Sequence, residues 1–163
     1  MSEQYLVLAA RIRQELEALE KVATRAKRAL TLARKYPADE ELYLDAVALN
    51  LHDFYTGLER VFHHIAATLD EAVPQSRDWH QELLRQMAEE RPQIRPAVIS
   101  EETRESLDEY LRFRHVVRNI YAFEFDSERL GRLVQGLDFV FPRINRELQA
   151  FAQFLERLVG SDE

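Results

Sequence analysis

Residues 112–126, RFRHVVRNIYAFEFD, gather the residue types best suited to chemistry on an anion. At about 100° per helical residue, Arg114, His115, Arg118 and Asn119 share an arc of roughly 140°, with Tyr121 just beyond its Arg114 edge. Phe113, Val116, Val117, Ile120 and Phe123 occupy the opposite arc, so one side of such a helix is built for burial and the other presents polar groups. Two guanidinium groups one turn apart repel each other by a few tenths of a kcal/mol. A bound phosphate would offset that cost, because guanidinium forks match phosphate oxygens in pairs and stay charged at any physiological pH. An imidazole beside them can move protons near neutrality. Arginines that hold a scissile phosphate, with an imidazole that activates the ribose 2′-hydroxyl, are the parts a metal-independent ribonuclease needs. The same face also suits a plainer role, since arginines on helices commonly pair with acids of neighbouring helices, and the chain offers 29 acids.

Other groups give weaker signals. His52, His63 and His64 fall on one helical segment, with Glu59 four residues before His63, a spacing at which a carboxylate and an imidazole can share a metal. In a chain this charged such pairs also arise by chance, and the expectation is no metal site. His63 and His64 are adjacent and cannot point the same way on a helix. His80, after Trp79, reads as a packing or capping residue. No glycine-rich phosphate loop, nucleophile elbow or HExxH pattern is present, so no cofactor is expected.

Charge restricts what this face could bind. Lysine and arginine total 22 against 29 acids, for a formal net charge of −7. Nucleic-acid binders are usually basic because phosphate neutralisation dominates their affinity, so any RNA contact must rest on a local cationic patch. The absence of cysteine excludes disulfides and thiolate metal sites. Charges interrupt the apolar pattern of MSEQYLVLAARIRQELEA, unlike a signal peptide, and no apolar run reaches the roughly 18–20 residues of a membrane span. The expectation is a soluble, cytoplasmic protein.

The elements that must position the arginine face are helices. Glycine is scarce, at four among 163 residues, and no useful strand-period alternation occurs. A first helix is predicted from about Glu3 to Tyr36, closed by Pro37, and a second from about Glu40 to Ala72. The second carries a wide apolar stripe through Leu44, Val47, Leu51, Phe54, Tyr55, Leu58, Phe62 and Ile65. Pro74 punctuates, and Ser76 reads as the N-cap of a shorter helix to about Glu90. RPQIRPAVIS, with two prolines, reads as a loop. A fourth helix is predicted to open at Ser100 and run to about Phe123, and a fifth to run from Ser127 to about Val159, kinked or split by Pro142. The fold class is therefore all-α, an antiparallel bundle of four to five helices forming one domain over residues 1–163.

The string FRHVVRNIY followed by FEFD resembles the motif region of the HEPN superfamily. It is most similar to the HepT-like ribonuclease toxins encoded beside a minimal nucleotidyltransferase antitoxin. LHDFYTGLERVFHHIA, DWHQELLRQM and RPAVIS strengthen the resemblance, which covers roughly Leu42 to Asp126. It implies a HEPN-like bundle and a homodimer whose motif helices face each other across one composite, RNA-cleaving cleft. The family pattern is an arginine, a polar residue, a short gap, then histidine, one residue and tyrosine. Arg114 matches the arginine, His115 the polar position and Tyr121 the tyrosine, while Asn119 stands where the histidine belongs. The candidate RNA contacts are Arg112, Arg114 and Arg118, and the candidate catalytic group, read from the shared face and the motif positions together, is Arg114, His115, Arg118 and Asn119. Tyr121 would be the tyrosine that the antitoxin adenylylates.

Asparagine cannot accept a proton at physiological pH. Either His115 has taken over proton transfer, or the chain is a catalytically degenerate dimer that binds RNA, nucleotide or a partner protein. Asn119→His separates the two in an RNA-cleavage assay. Cleavage that arises only in the variant identifies the wild-type chain as a binding module, whereas cleavage by wild type that is lost in His115→Ala identifies it as an enzyme.

Overall fold

In a computed structural model, which describes residues 2–119 and 125–161, five α-helices succeed one another: α1 (Ser2–Lys35), α2 (Glu40–Ile65), α3 (Trp79–Ala88), α4 (Glu101–Asn119) and α5 (Ser127–Gly160). Their starts and ends follow local chemistry. Pro37 opens a short 3₁₀ turn over Pro37–Asp39 that separates α1 from α2, as expected of a residue that cannot continue a helix. Glu40 and Glu41 then place negative charge in the first turn of α2, where the helix dipole favours it.

α2 is shorter than its apolar stripe suggests. After Ile65 the chain widens into a π-helical turn over Ala66–Asp70 and stops at Glu71, which takes a left-handed conformation with φ 52°. Ser76 does not cap α3 directly. Its hydroxyl accepts from the Asp78 backbone N–H and donates to Glu82, and the helix begins at Trp79. Ser100 does cap α4, its oxygen accepting from the Thr103 N–H at 3.1 Å.

Pro142 neither splits nor ends α5, which stays one helix of 34 residues. The carbonyl that a proline at 142 leaves without its helical partner is that of Asp138, and both residues are exposed. Water can satisfy it there, while the buried stripe of Leu137, Val140, Ile144 and Leu148 runs past the proline unbroken.

The core is one cluster fed by all five helices, including Ile12 and Leu19 of α1, Phe54, Tyr55 and Phe62 of α2, Leu83 and Met87 of α3, Leu107 and Phe113 of α4, and Ile144 and Leu148 of α5. α1 and α2 approach closely: a Cβ added to Gly57 would meet Glu15 Oε1 at 2.7 Å and Leu19 Cδ2 at 2.8 Å. Arg13 clasps Glu156 to tie α1 to α5, and Lys27 pairs with Asp138.

A buried ion pair organises the loop that feeds α4. Arg95 and Asp70 have fully buried side chains. Arg95 Nε donates to Asp70 Oδ1 at 2.7 Å and Nη2 to Oδ2 at 2.9 Å, while the remaining N–H groups reach the carbonyls of Glu89, Pro96 and Gln86. Gln86 Nε2 adds donors to Asp70 Oδ2 and the Ala72 carbonyl. Every hydrogen-bonding position of the guanidinium is filled, so the π turn after α2, the end of α3 and the loop before α4 form one unit. Glu147 of α5 then accepts from Ser100 N and Thr103 Oγ1, fixing where α4 starts. Further along, the Tyr110 hydroxyl donates to the Leu133 carbonyl at 2.6 Å.

Removing one partner of such a pair leaves a buried charge without compensation, at a cost of about 3–5 kcal/mol. Arg95→Leu should therefore lower the melting temperature by on the order of 10 °C, and Asp70→Asn,Arg95→Gln, which removes both charges together, should recover much of the loss. An Arg95→Leu melt unchanged from wild type would show that the pair does not organise the loop.

Candidate active site

Three helices converge on Arg114. It lies on α4, half-buried, and turns toward α3, where its Nη1 stands 3.4 Å from His80 Nε2. His80 Nδ1 in turn lies 2.7 Å from Glu59 Oε2 on α2. Both side chains of that second contact are largely enclosed, His80 with 12% and Glu59 with 9% of its side chain exposed. A carboxylate accepts only, so the close Nδ1 carries the proton and Nε2 presents its lone pair toward the arginine. The indole of Trp79 stacks on the His80 ring, with centroids 3.5 Å apart and planes inclined by 31°. His115, exposed on α4, approaches the same imidazole edge-on at 5.9 Å between ring centroids.

Tyr55 closes the cluster from below. It is completely buried on α2, one turn before Glu59, and burial pushes its hydroxyl well above the usual tyrosine range; Glu59 adds to the rise and Arg114 opposes it. Among the described residues, two buried polar atoms of this cluster have no hydrogen-bond partner, Tyr55 Oη and Arg114 Nε. Buried donors left unsatisfied are uncommon, and here one belongs to Arg114 itself and the other to Tyr55, whose hydroxyl feels the arginine's charge. No carboxylate among the described residues lies within ion-pairing distance of Arg114, which sets it apart from Arg13, Arg60, Arg95, Arg104 and Arg143.

The structure brings Arg114 and His115 together, as their spacing suggests, and adds two groups the spacing does not announce. Arg112 faces elsewhere on α4. It pairs with Asp108, Nε to Oδ2 at 2.9 Å, and lines two shallow depressions. One is shared with Arg85 and Arg104, the other with Arg129 and Arg132 of α5. Arg118 and Asn119 end α4, and their side chains, like the whole of Tyr121, lie outside the described residues.

His80 has the largest change of role. It is not a cap or a packing residue alone but the link between a buried carboxylate and the arginine. A signal for it exists in the sequence: Glu59 falls on the apolar stripe of α2, a turn after Tyr55 and three residues before Phe62, and a carboxylate so placed needs a buried partner. Glu59 therefore pairs with His80 rather than with His63. Among the described residues, no three or more His, Asp or Glu side chains gather as a metal cage. The remaining histidines lie apart: His52 beside Asp53, His63 edge-on to His64, and His64 against Arg11. Burial, with Arg11 next in strength, lowers the His64 pKa.

Residues 46–155 match the model of a family described as HepT-like protein, and the chain belongs to that family. The match extends through most of α5, beyond the segment in which the motifs are recognisable by eye. No curated protein and no solved structure matches the chain. No described helix is long and apolar enough to cross a membrane.

Deleting an unsatisfied buried hydroxyl removes a desolvated group without breaking a bond. Tyr55→Phe should leave the melting temperature unchanged or slightly higher. A destabilisation above about 1 kcal/mol would show that the hydroxyl is bonded in solution.

Proposed function

We propose that this HepT-like protein is an RNA endonuclease that works without metal, its site centred on Arg114 and completed by a second copy of the chain. The observation that carries the reading is a half-buried arginine that turns to the His80 imidazole, with no carboxylate among the described residues within ion-pairing distance to neutralise it. A guanidinium in that state favours a phosphate, which it can grip with two parallel hydrogen bonds. His115, exposed beside it, supplies proton transfer, and Arg118 and Asn119 one turn on are placed by sequence to extend the grip. Arg112, with Arg129 and Arg132 nearby, would hold flanking phosphates. Such a strip reconciles RNA binding with a net charge of −7, the more so when a homodimer doubles it within one cleft.

Membership in the family supports the rest of the proposal. The partner would be a minimal nucleotidyltransferase antitoxin acting in the cytoplasm, and its target Tyr121, whose adenylylation would add a bulky anion to the motif segment and oppose RNA binding. One observation favours a second reading, a HEPN-like dimer that binds RNA, nucleotide or protein without cutting. Asn119 stands at the position where the family pattern has histidine.

Purified protein should cleave single-stranded RNA in excess EDTA. Arg114→Ala should reduce both binding and cleavage, and His115→Ala should abolish cleavage while the RNA stays bound. RNA that is bound tightly by wild type and recovered intact would overturn the catalytic reading and leave the binding one.

A further inference from the structure

The arrangement around His80 has more parts than an arginine clamp requires. Glu59 fixes the tautomer, Trp79 fixes the ring plane, and Nε2 is left facing the guanidinium that would hold phosphate. A carboxylate behind an imidazole whose far nitrogen faces the reacting group is the general form of an activated base: the acid orients the ring and stabilises the imidazolium once it forms. His115, next to that arginine on α4, sets its ring nearly perpendicular to that of His80, at 86° with centroids 5.9 Å apart. Cleavage of RNA without metal needs two proton transfers on opposite sides of one phosphorus, and a single histidine can perform only one of them at a time.

Building on the ribonuclease reading, we propose that His80, held by Glu59, is the general base of this site and that His115 is the general acid. His80 Nε2 removes the proton of the ribose 2′-hydroxyl as the 2′-oxygen attacks the adjacent phosphorus. The P–O5′ bond breaks as His115 gives a proton to the departing 5′-oxygen. The products are a 2′,3′-cyclic phosphate and a free 5′-hydroxyl, with one proton taken up and one released. Arg114 donates to a non-bridging phosphate oxygen, and in doing so it turns from Nε2, which becomes available to the 2′-hydroxyl. The base that Asn119 cannot provide on α4 thus comes from α3.

Among the described residues, the groups against the His80 imidazole are Glu59 from α2, Trp79 on its own helix, and Arg114 and His115 from α4. The rate should rise with pH as His80 loses its proton and fall as His115 loses its own, giving a bell.

His80→Asn is the variant of choice, because its side-chain amide can still donate to Glu59 where Nδ1 does now, while nothing replaces Nε2. It should lower kcat about 10²–10⁴-fold, leave KM near wild type and remove the acidic limb of the pH–rate profile. Glu59→Gln, whose side-chain oxygen can still accept from Nδ1 but carries no charge to stabilise the imidazolium once it forms, should lower kcat with KM near wild type. The smaller His80→Ala should regain part of its rate from added imidazole, with the same cyclic-phosphate product. Melting curves of each variant identify any that fail to fold, and the loss of kcat in Glu59→Gln is then read on a folded protein. His80→Asn with a wild-type kcat, or with its acidic limb intact, overturns the assignment of the base while leaving the ribonuclease reading standing. A wild-type protein that cuts no RNA overturns both.

Discussion

A carboxylate placed inside a helical core must be charged and bonded, or neutral, and Glu59 is the clearest case in this molecule. It sits on the buried stripe of α2 between Tyr55 and Phe62, and its partner among the described residues is the Nδ1 of His80. That one hydrogen bond couples two successive helices, α2 and α3, and fixes which nitrogen of the imidazole faces α4. Everything proposed about Arg114 depends on it. Without Glu59 the His80 ring could flip or change tautomer, and the arginine would lose the neighbour toward which it turns.

Holding the remaining parts in register falls to a second buried charge, Asp70, and its arginine. The Asp70–Arg95 pair locks the loop between α3 and α4, and the Glu147 contacts with Ser100 and Thr103 fix the first turn of α4 against α5. A helix started at a fixed point presents Arg114 and His115 at fixed azimuths three turns later, because the rise and twist per residue are constant. The two buried carboxylates thus have different work. One sets where α4 begins, and the other sets what meets it at the level of Arg114. A buried charge with its partner is weak evidence for stability alone, but each of these decides a geometry that an apolar contact would leave looser.

Much of the fold is legible in the sequence, since helical periodicity with prolines at 37, 74, 92 and 96 marks where elements stop. The exceptions have physical causes. Pro142 lies on an exposed face where water can meet the stranded carbonyl, so it passes within α5 unmarked. The π turn after Ile65 depends on the Asp70–Arg95 lock, formed by residues 25 apart, which no local pattern announces. The site divides the same way. Arg114 and His115 are read from spacing on one helix, because a period of 3.6 places them together. His80 and Glu59 come from two other helices, and their convergence is a tertiary fact. The segments carrying them, LHDFYTGLERVFHHIA and DWHQELLRQM, stand out by resemblance, yet resemblance identifies a segment and not the partner of each side chain.

The central claim is that one phosphate seats on Arg114 with His80 on its ribose side and His115 on its leaving-group side. A crystal structure of the protein with a short RNA carrying a single 2′-deoxy substitution at the cleavage position tests it most directly. The account predicts a phosphate oxygen within hydrogen-bond reach of the Arg114 guanidinium, the 2′ carbon of the modified sugar turned to His80 Nε2, and the 5′-oxygen turned to His115. An RNA bound along Arg112, Arg129 and Arg132 with no phosphate at Arg114, the Glu59–His80–Arg114 contacts unchanged, would contradict it.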